Sequence, residues 1–553
     1  MPAVARRELW LVALLVAAVL IVPLVIPPFS ILVTKPLWLD ELHTWLLARE
    51  RPGPELVARL RGGADFNPPL LFVVDHLLLS LIPGLPAQVV LRLTSVLAVG
   101  AACTMLYRLH RSRFDVLPAL AGALAPLAHT VVVSQLHEAR FYAPWLLLIV
   151  ALGWALQTVV EHPRSPGRFA ALVALSAATC LIHYFGVISI GLVGVGTVAA
   201  LRDRRSLRPL AGLALGTLAL AAGIPVYLVQ KQVLSVATWI PPATVSSAID
   251  FLRVFLTYPA YVLVVIAALG VALIHRLTRF AALRPPARVR AATPPVAQGA
   301  FLALLALPVV LLAFSVVVQP ALIARYALPT AIGGACVVAL ATARLPRMIA
   351  VPVVLGILAM HGLHMWRFAG KARAFSDGVT RGVAAANLVA SDPRPVVSVD
   401  RFSLYPTALS AANRNARLRY VVIPPEAFRA YPGPMRNERP DFNIVERDAA
   451  VAHSAVFGFP VTMTLEELRT LPSYFMLLPD SAVAPPFPLL FADRAACRMH
   501  ERLLLLSRRA SASPAPVGVE IPACGPLPPR GDYSIAASAA VRSSTASRLT
   551  PRR

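Results

Sequence analysis

Charge is scarce in this chain, and what there is leans one way. Only 14% of the 553 residues are charged, with 27 Asp and Glu against 52 Lys and Arg. A soluble protein of this length shows amphipathic alternation and far more charge, so a soluble globular fold is excluded. Cysteine is scarce too. There are five, with no Cys-x-x-Cys and no Cys/His ligand spacing, which argues against a structural zinc site. No small-x-small cleavage site follows the first apolar run, and Ile26-Pro27-Pro28-Phe29 is unsuited to one. That run therefore reads as a retained span and not as a removed signal peptide. No nucleic-acid motif accompanies the net charge of +25.

What the chain has is hydrophobic length. It is 57% hydrophobic, with a mean hydropathy of +0.69. Many runs reach about 18 to 22 residues, enough to cross a hydrocarbon core of about 30 Å. The expected spans are 10–27, 88–107, 116–133, 141–160, 168–182, 185–201, 209–229, 251–274, 299–318, 327–343 and 348–366. Alternate gaps between them are rich in arginine: Arg108, Arg111 and Arg113; Arg164 and Arg168; Arg202, Arg204, Arg205 and Arg208; Arg276 to Arg290; Arg344 and Arg347. Short basic loops stay cytoplasmic, and their charge also suits anionic headgroups. Eleven crossings from a cytoplasmic start then leave the C-terminus outside. The segment 68–85 is apolar enough to cross, but it carries Asp75 and His76 in its middle. Counting it would also put every arginine loop outside, so it is expected to be interfacial or re-entrant.

The fold class expected is thus an all-α polytopic membrane protein of about eleven helices, with a small extracytoplasmic α/β domain at its C-terminus. The membrane domain covers 1–366, with a first external loop at 28–87. The second domain covers 367–525 and contains short β-like runs at 396–399, 420–423 and 475–478, with a helical turn at Glu466 to Thr470. Residues 526–553, rich in Pro, Ser, Ala and Arg, are expected to be disordered, and the Pro-rich stretch 284–295 reads as a flexible cytoplasmic loop. Cys103, Cys180 and Cys336 lie in apolar runs as small hydrophobes. Cys497 and Cys524 share the external domain, where an oxidising compartment predicts a disulfide between them.

The chemically capable residues fall in the gaps that lack arginine clusters: Asp40-Glu41, Gln135 to Arg140, His183-Tyr184, Lys231 to Trp239, and Gln319 to Tyr326. Trp38, Leu42, Trp45, Leu46 and Arg49 recur at helical spacing, which predicts an amphipathic helix lying flat at the membrane surface. Asp40 and Glu41 open it. They fit an N-cap and a first-turn anion, or a carboxylate held at the boundary to take a proton from an acceptor hydroxyl. Glu138 and Arg140 sit in a tight turn. They fit a local ion pair, or an arginine clamp on phosphate with Glu138 orienting it or helping to hold a cation. His183, without a spacer between two spans, fits a hydrogen-bonded structural group. Arg325 fits either a snorkelling cation or a second phosphate ligand.

Taken together, Trp38-Leu39-Asp40-Glu41 with Thr44-Trp45, Asn67-Pro68-Pro69-Leu70, Glu138 to Tyr142, His183 to Phe185 and Arg325 to Pro329 occur in an order that resembles the GT-C superfamily of integral-membrane glycosyltransferases. The bacterial lipopolysaccharide and protein-mannosyltransferase-like branch is most similar, over residues 10 to 345. Asn67 departs from the His usual in that motif, and Leu136-His137 intervene where the family often reads Ser-Gln-Glu-Ala-Arg. The resemblance implies a polyprenyl-phosphate-linked sugar as donor and transfer to a lipid, glycan or protein acceptor at the external face of a bacterial inner membrane. It implies Asp40 as general base, with Glu41 beside it. Arg140, Arg325 and Tyr326 would meet the donor phosphate, and Glu138, His183, Tyr184 and Asn67 would support. Direct displacement predicts inversion. No cofactor is assigned, and Glu138 is a candidate ligand for a divalent cation. Two rivals stand beside this reading: a lipid-linked glycan flippase, which needs mid-span charges and repeated broken helices, and a non-catalytic GT-C-like glycolipid binder.

Overall fold

The computed structural model describes residues 29–201, 204–233, 242–256, 296–398, 401–410, 417–422, 460–477, 494–500 and 503–508, with isolated positions elsewhere that include Cys524. Most of the first expected span, residues 234–239, the Pro-rich loop 284–295 and the tail 526–553 lie outside these. The chain divides into two compact units, Met1–Ser376 with Ala455–Phe457, and Asp377–Ser454 with Gly458–Arg553.

The first unit is helical throughout. After a single turn at Ile31–Thr34 come α1 (Leu39–Ala48), α2 (Pro54–Arg61) and α3 (Leu70–Leu81), the helices of the first long loop. The α1 helix forms where its periodicity predicts it. It is packed into the protein, however, with Leu39, Glu41, Leu42, His43, Thr44, Leu47 and Ala48 buried, and does not lie open on a surface. Its N-cap is Trp38, which places Asp40 at the second helical position and corrects the expectation of an Asp40 cap. The α3 helix has 12 residues, about 18 Å at 1.5 Å per residue, too short to cross a bilayer. Its polar pair is tied inward: Thr94 Oγ1 lies 3.4 Å from Asp75, and His76 Nδ1 lies 3.0 Å from the Ala48 carbonyl.

The apolar helices follow: α4 (Ala87–Arg111), α5 (Val116–Leu124), α6 (Thr130–Leu136), α7 (Tyr142–Glu161), α8 (Pro166–Ile182), α9 (Gly186–Leu201), α10 (Leu207–Thr217), α11 (Ala219–Val233), α12 (Val245–Leu256), α13 (Val296–Ala303), α14 (Leu307–Val317), α15 (Thr330–Thr342) and α16 (Arg347–Leu388). Among the described residues four helices are long and apolar enough to cross a membrane, and seven if each bent pair counts as one span. Four further apolar helices are shorter. The chain is therefore a multi-pass membrane protein.

The expected span 116–133 is not one straight helix. A 3-10 turn at Ala125–Ala128, with Pro126 inside it, precedes His129 in extended backbone, and α6 leaves at 74° to the helix before the break. His129 then caps the new helix, its Nδ1 accepting from the Val131 N–H at 3.2 Å. Proline removes a backbone donor and the extended residue ends the ladder, which explains the kink. Elsewhere the helices approach closely through small residues. A Cβ added at Gly196 on α9 would strike the backbone of Gly299 and Ala300 on α13. Close backbone approach of this kind is how helices pack in lipid, where no hydrophobic gradient drives them together.

The helix α16 runs on past residue 366, where the sequence marks the end of the membrane domain, and the division between the units falls within it at Ser376. In the second unit a six-stranded sheet has the order β3-β2-β1-β4-β6-β5, where β1 is Val396–Ser398, β2 Leu418–Val422, β3 Thr462–Thr464, β4 Ser473–Leu477, β5 Arg494–His500 and β6 Leu503–Arg508. The pairs β1–β2, β2–β3 and β1–β4 are parallel, while β4–β6 and β5–β6 are antiparallel. Central strands β1 and β4 are buried along their whole length, as strands covered on both faces are. The helix α17 (Arg401–Ser410) joins β1 to β2, and α18 (Leu465–Thr470) opens on a reciprocal cap between Thr464 and Glu467. Cys497 and Cys524 are bonded, with Cα atoms 4.8 Å apart. Cys103, Cys180 and Cys336 are free and buried.

Candidate active site

The first turn of α1 is the centre of the site. Asp40 Oδ2 lies 3.3 Å from an Arg325 nitrogen, and the two side chains are 21% and 18% exposed. This pair is therefore reachable from solution, unlike the buried Glu41, Asp65 and Arg140. Arg325 comes from the 3-10 turn Ala324–Ala327 that leads into α15. Arg140, in the turn between α6 and α7, donates to the Asp40 carbonyl at 3.0 Å, to Thr44 Oγ1 at 3.2 Å and to Asp65 Oδ2 at 2.9 Å. Asp65 is in turn held by the backbone N–H and side-chain amide of Asn67. Arg140 thus takes its carboxylate from 75 residues upstream and not from Glu138. Asp65 is a site residue the sequence analysis missed. The visible signal was Gly62-Gly63-Ala64-Asp65, a tight turn before Asn67-Pro68-Pro69, where Gly63 adopts φ 86°.

Burial by itself would lower the pKa of Arg140 and Arg325. Asp65 and Asp40 at Arg140, and Tyr142 and Asp40 at Arg325, more than offset it, so both move upward and stay charged. Each guanidinium also faces an aromatic ring. Arg140 lies 4.9 Å from the Phe141 centroid and Arg325 5.5 Å from that of Tyr142.

Glu41 sits one residue from Asp40 but in a different environment. It is fully buried and its two oxygens accept four hydrogen bonds, from Arg92 Nε (2.8 Å), Arg92 Nη2 (2.5 Å), Ala139 N–H (2.9 Å) and Trp38 N–H (3.1 Å). Burial would raise its pKa, but Arg92 and then Lys35 overcome that and hold it at about 2. A carboxylate with all four acceptor sites filled is not placed to take a proton from a substrate. Glu138 behaves oppositely. Its Oε2 is buried without a hydrogen-bond partner among the described residues. Burial pushes its carboxyl up to about 7, against the pull of Lys35.

His183 ends α8 inside an aromatic nest. It stacks on Trp145 at 4.6 Å and 6°, with Phe141 at 4.7 Å, Phe185 at 5.4 Å and Tyr326 at 5.5 Å. Its Nδ1 accepts from the Phe185 N–H at 3.0 Å. Burial and the two nearby arginines push its pKa down to about 3, so it is neutral. Tyr326 packs on Phe185 at 5.1 Å and belongs to the same nest. Tyr184 points elsewhere, edge-on to Tyr227 at 5.1 Å. Leu136 and His137 close α6, with His137 Nδ1 3.0 Å from the Val133 carbonyl. Among the described residues no three His, Cys, Asp or Glu side chains converge as a metal site.

No family profile and no curated protein matches the chain. Solved structures do. ArnT from Cupriavidus metallidurans bound to undecaprenyl phosphate matches with a TM-score of 0.55 at 15% identity, over 91% of this chain and 99% of that one. The same protein in its apo state matches at 0.53 and 16%, over 93% and 100%. Identity this low speaks for the fold alone, and the fold is shared along nearly the whole length of both chains. The chain has the fold of these ArnT structures, which is the fold that the order of its sequence motifs leads one to expect.

Proposed function

We propose that the chain is a glycosyltransferase that moves a sugar from a polyprenyl-phosphate donor to an acceptor hydroxyl, at the extracytoplasmic face of a bacterial inner membrane. The observation that carries this reading is the reachable Asp40–Arg325 pair with Arg140 beside it. One carboxylate and two arginines, brought from three separate elements, meet at the first turn of α1. That set suits a displacement at an anomeric carbon with a phosphate leaving group.

In that reaction the acceptor oxygen forms the new bond to the anomeric carbon and its proton passes to Asp40. The bond from that carbon to the phosphate oxygen breaks, and its electrons leave with the polyprenyl phosphate. The phosphate's charge rises from about one to two as it departs, so arginines at that oxygen bind the transition state better than the ground state. An incoming donor phosphate competes with Asp40 for Arg325 and thereby frees the carboxylate to act as base. Direct attack needs no covalent enzyme intermediate and inverts the anomeric centre. Support for a lipid-phosphate donor comes from the ArnT structure of the same fold, which holds undecaprenyl phosphate. The arginine-rich gaps support the sidedness.

Asp40→Asn tests the reading. Transfer of sugar by the purified chain should fall by at least about a hundredfold, the usual scale for a general base. Binding of undecaprenyl phosphate should persist, which separates an enzyme from a flippase or a silent glycolipid binder. Arg140→Ala and Arg325→Ala should weaken that binding instead, and Arg140→Lys should restore it only in part, because an ammonium cannot reproduce the bidentate fork. Wild-type turnover by Asp40→Asn would remove Asp40 from the mechanism.

A further inference from the structure

Arg92, near the start of α4, is fully buried and spends all five of its N–H donors. Nε and Nη2 go to the two oxygens of Glu41. Nη1 goes to the Val33 carbonyl at 2.9 Å and the Lys35 carbonyl at 2.6 Å, and the second Nη2 donor goes to the Pro36 carbonyl at 3.0 Å. Glu41 passes the connection on through Oε1, which accepts from the Ala139 N–H. Three residues along the same face of α4, Ser95 Oγ donates to the Glu138 carbonyl at 2.6 Å. One helix thus grips the entry to α1 and the turn after α6 together. The residues next in sequence to the two gripped points are Asp40, beside Glu41, and Arg140, beside Ala139.

We infer that Arg92 is a positioning residue that sets the distance between Asp40 and Arg140, acting through Glu41, and so aligns base and phosphate clamp without touching substrate. The two points lie about a hundred residues apart in sequence, and besides this link they are joined by Arg140 itself, which donates to the Asp40 carbonyl and to Thr44. A fork with five bonds in fixed directions can hold such a geometry, whereas a single ammonium on a flexible stem cannot. This inference rests on the proposed roles of Asp40 and Arg140.

Arg92→Ala would strand a buried carboxylate and unfold the region, so Arg92→Lys, which keeps the charge, is the informative variant. Two readouts apply to the purified full chain. In hydrogen-exchange mass spectrometry the peptide covering 134–145 should exchange faster in Arg92→Lys while the thermal midpoint stays close to wild type. In titration with undecaprenyl phosphate, Arg92→Lys should lose roughly tenfold or more, the scale seen when an outer partner that orients a ligand-binding group is removed. The double variant Arg92→Lys/Arg140→Ala should bind no worse than Arg140→Ala alone, because both changes act on one contact. Unchanged exchange at 134–145 overturns the inference. So does a loss in Arg92→Lys that adds in full to that of Arg140→Ala. If Arg140→Ala itself binds normally, the phosphate reading fails, and the exchange result alone then decides whether Arg92 holds the turn.

Discussion

Glu138 and Glu41 carry opposite pH signatures although both carboxyls are buried, Glu138 in the turn after α6 and Glu41 hydrogen-bonded to that turn from α1. Burial lifts the Glu138 carboxyl from 4.5 to about 7. Between those values the unfolded chain has released a proton that the folded protein keeps, so stability falls as pH rises through the window and stays low above it. Glu138→Gln removes this term. The variant should gain thermal midpoint over wild type at pH 8 and gain little at pH 5, and an equal offset at both would dismiss it. Glu41, held at about 2, contributes stability that is present above its usual 4.5 and is lost as pH falls toward 2. Neither behaviour was legible in the sequence, where Asp40, Glu41 and Glu138 are merely acids near apolar runs. What separates them is what faces each one: Arg325 and solvent at Asp40, Arg92 at Glu41, and no hydrogen-bond donor at the Glu138 Oε2.

At the level of elements, helix positions followed hydrophobic length closely, while bends and packing partners did not. The 116–136 segment has the composition of one span, and the break comes from Pro126 and an extended His129 that a hydropathy window averages away. The α9–α13 contact makes a sharper test. Gly196→Leu drives a side chain into the backbone of Gly299 and Ala300, and overpacking of this kind costs about 1–3 kcal/mol. Gly191→Leu, on the same helix, meets open space and serves as the control. Unfolding followed by size-exclusion chromatography after heating should show a lower midpoint for the first variant only. Equal midpoints would mean that the two helices do not touch there.

At the scale of the whole molecule, sidedness rests on where the arginines fall. Five arginine-rich gaps at alternating positions predict a cytoplasmic N-terminus and an external second unit. Reporter fusions at Arg205 and Ser391 should therefore report opposite compartments, and the same compartment for both would sink that topology.

The positions of most apolar helices among the described residues, the α1 helix and the short strands near 396, 420 and 475 were readable from the chain, because each depends on local composition or on a period of 3.6 or 2 residues. The partners were not. Arg140 meets Asp65, Arg325 meets Asp40 and Arg92 meets Glu41 across 51 residues or more, and the sheet places β4 beside β1 and not beside β3. A charged residue in sequence can pair with any acid of suitable reach. Only packing removes the alternatives: of the site's carboxylates it buries Glu41, Asp65 and the Glu138 carboxyl and leaves Asp40 within reach of solvent.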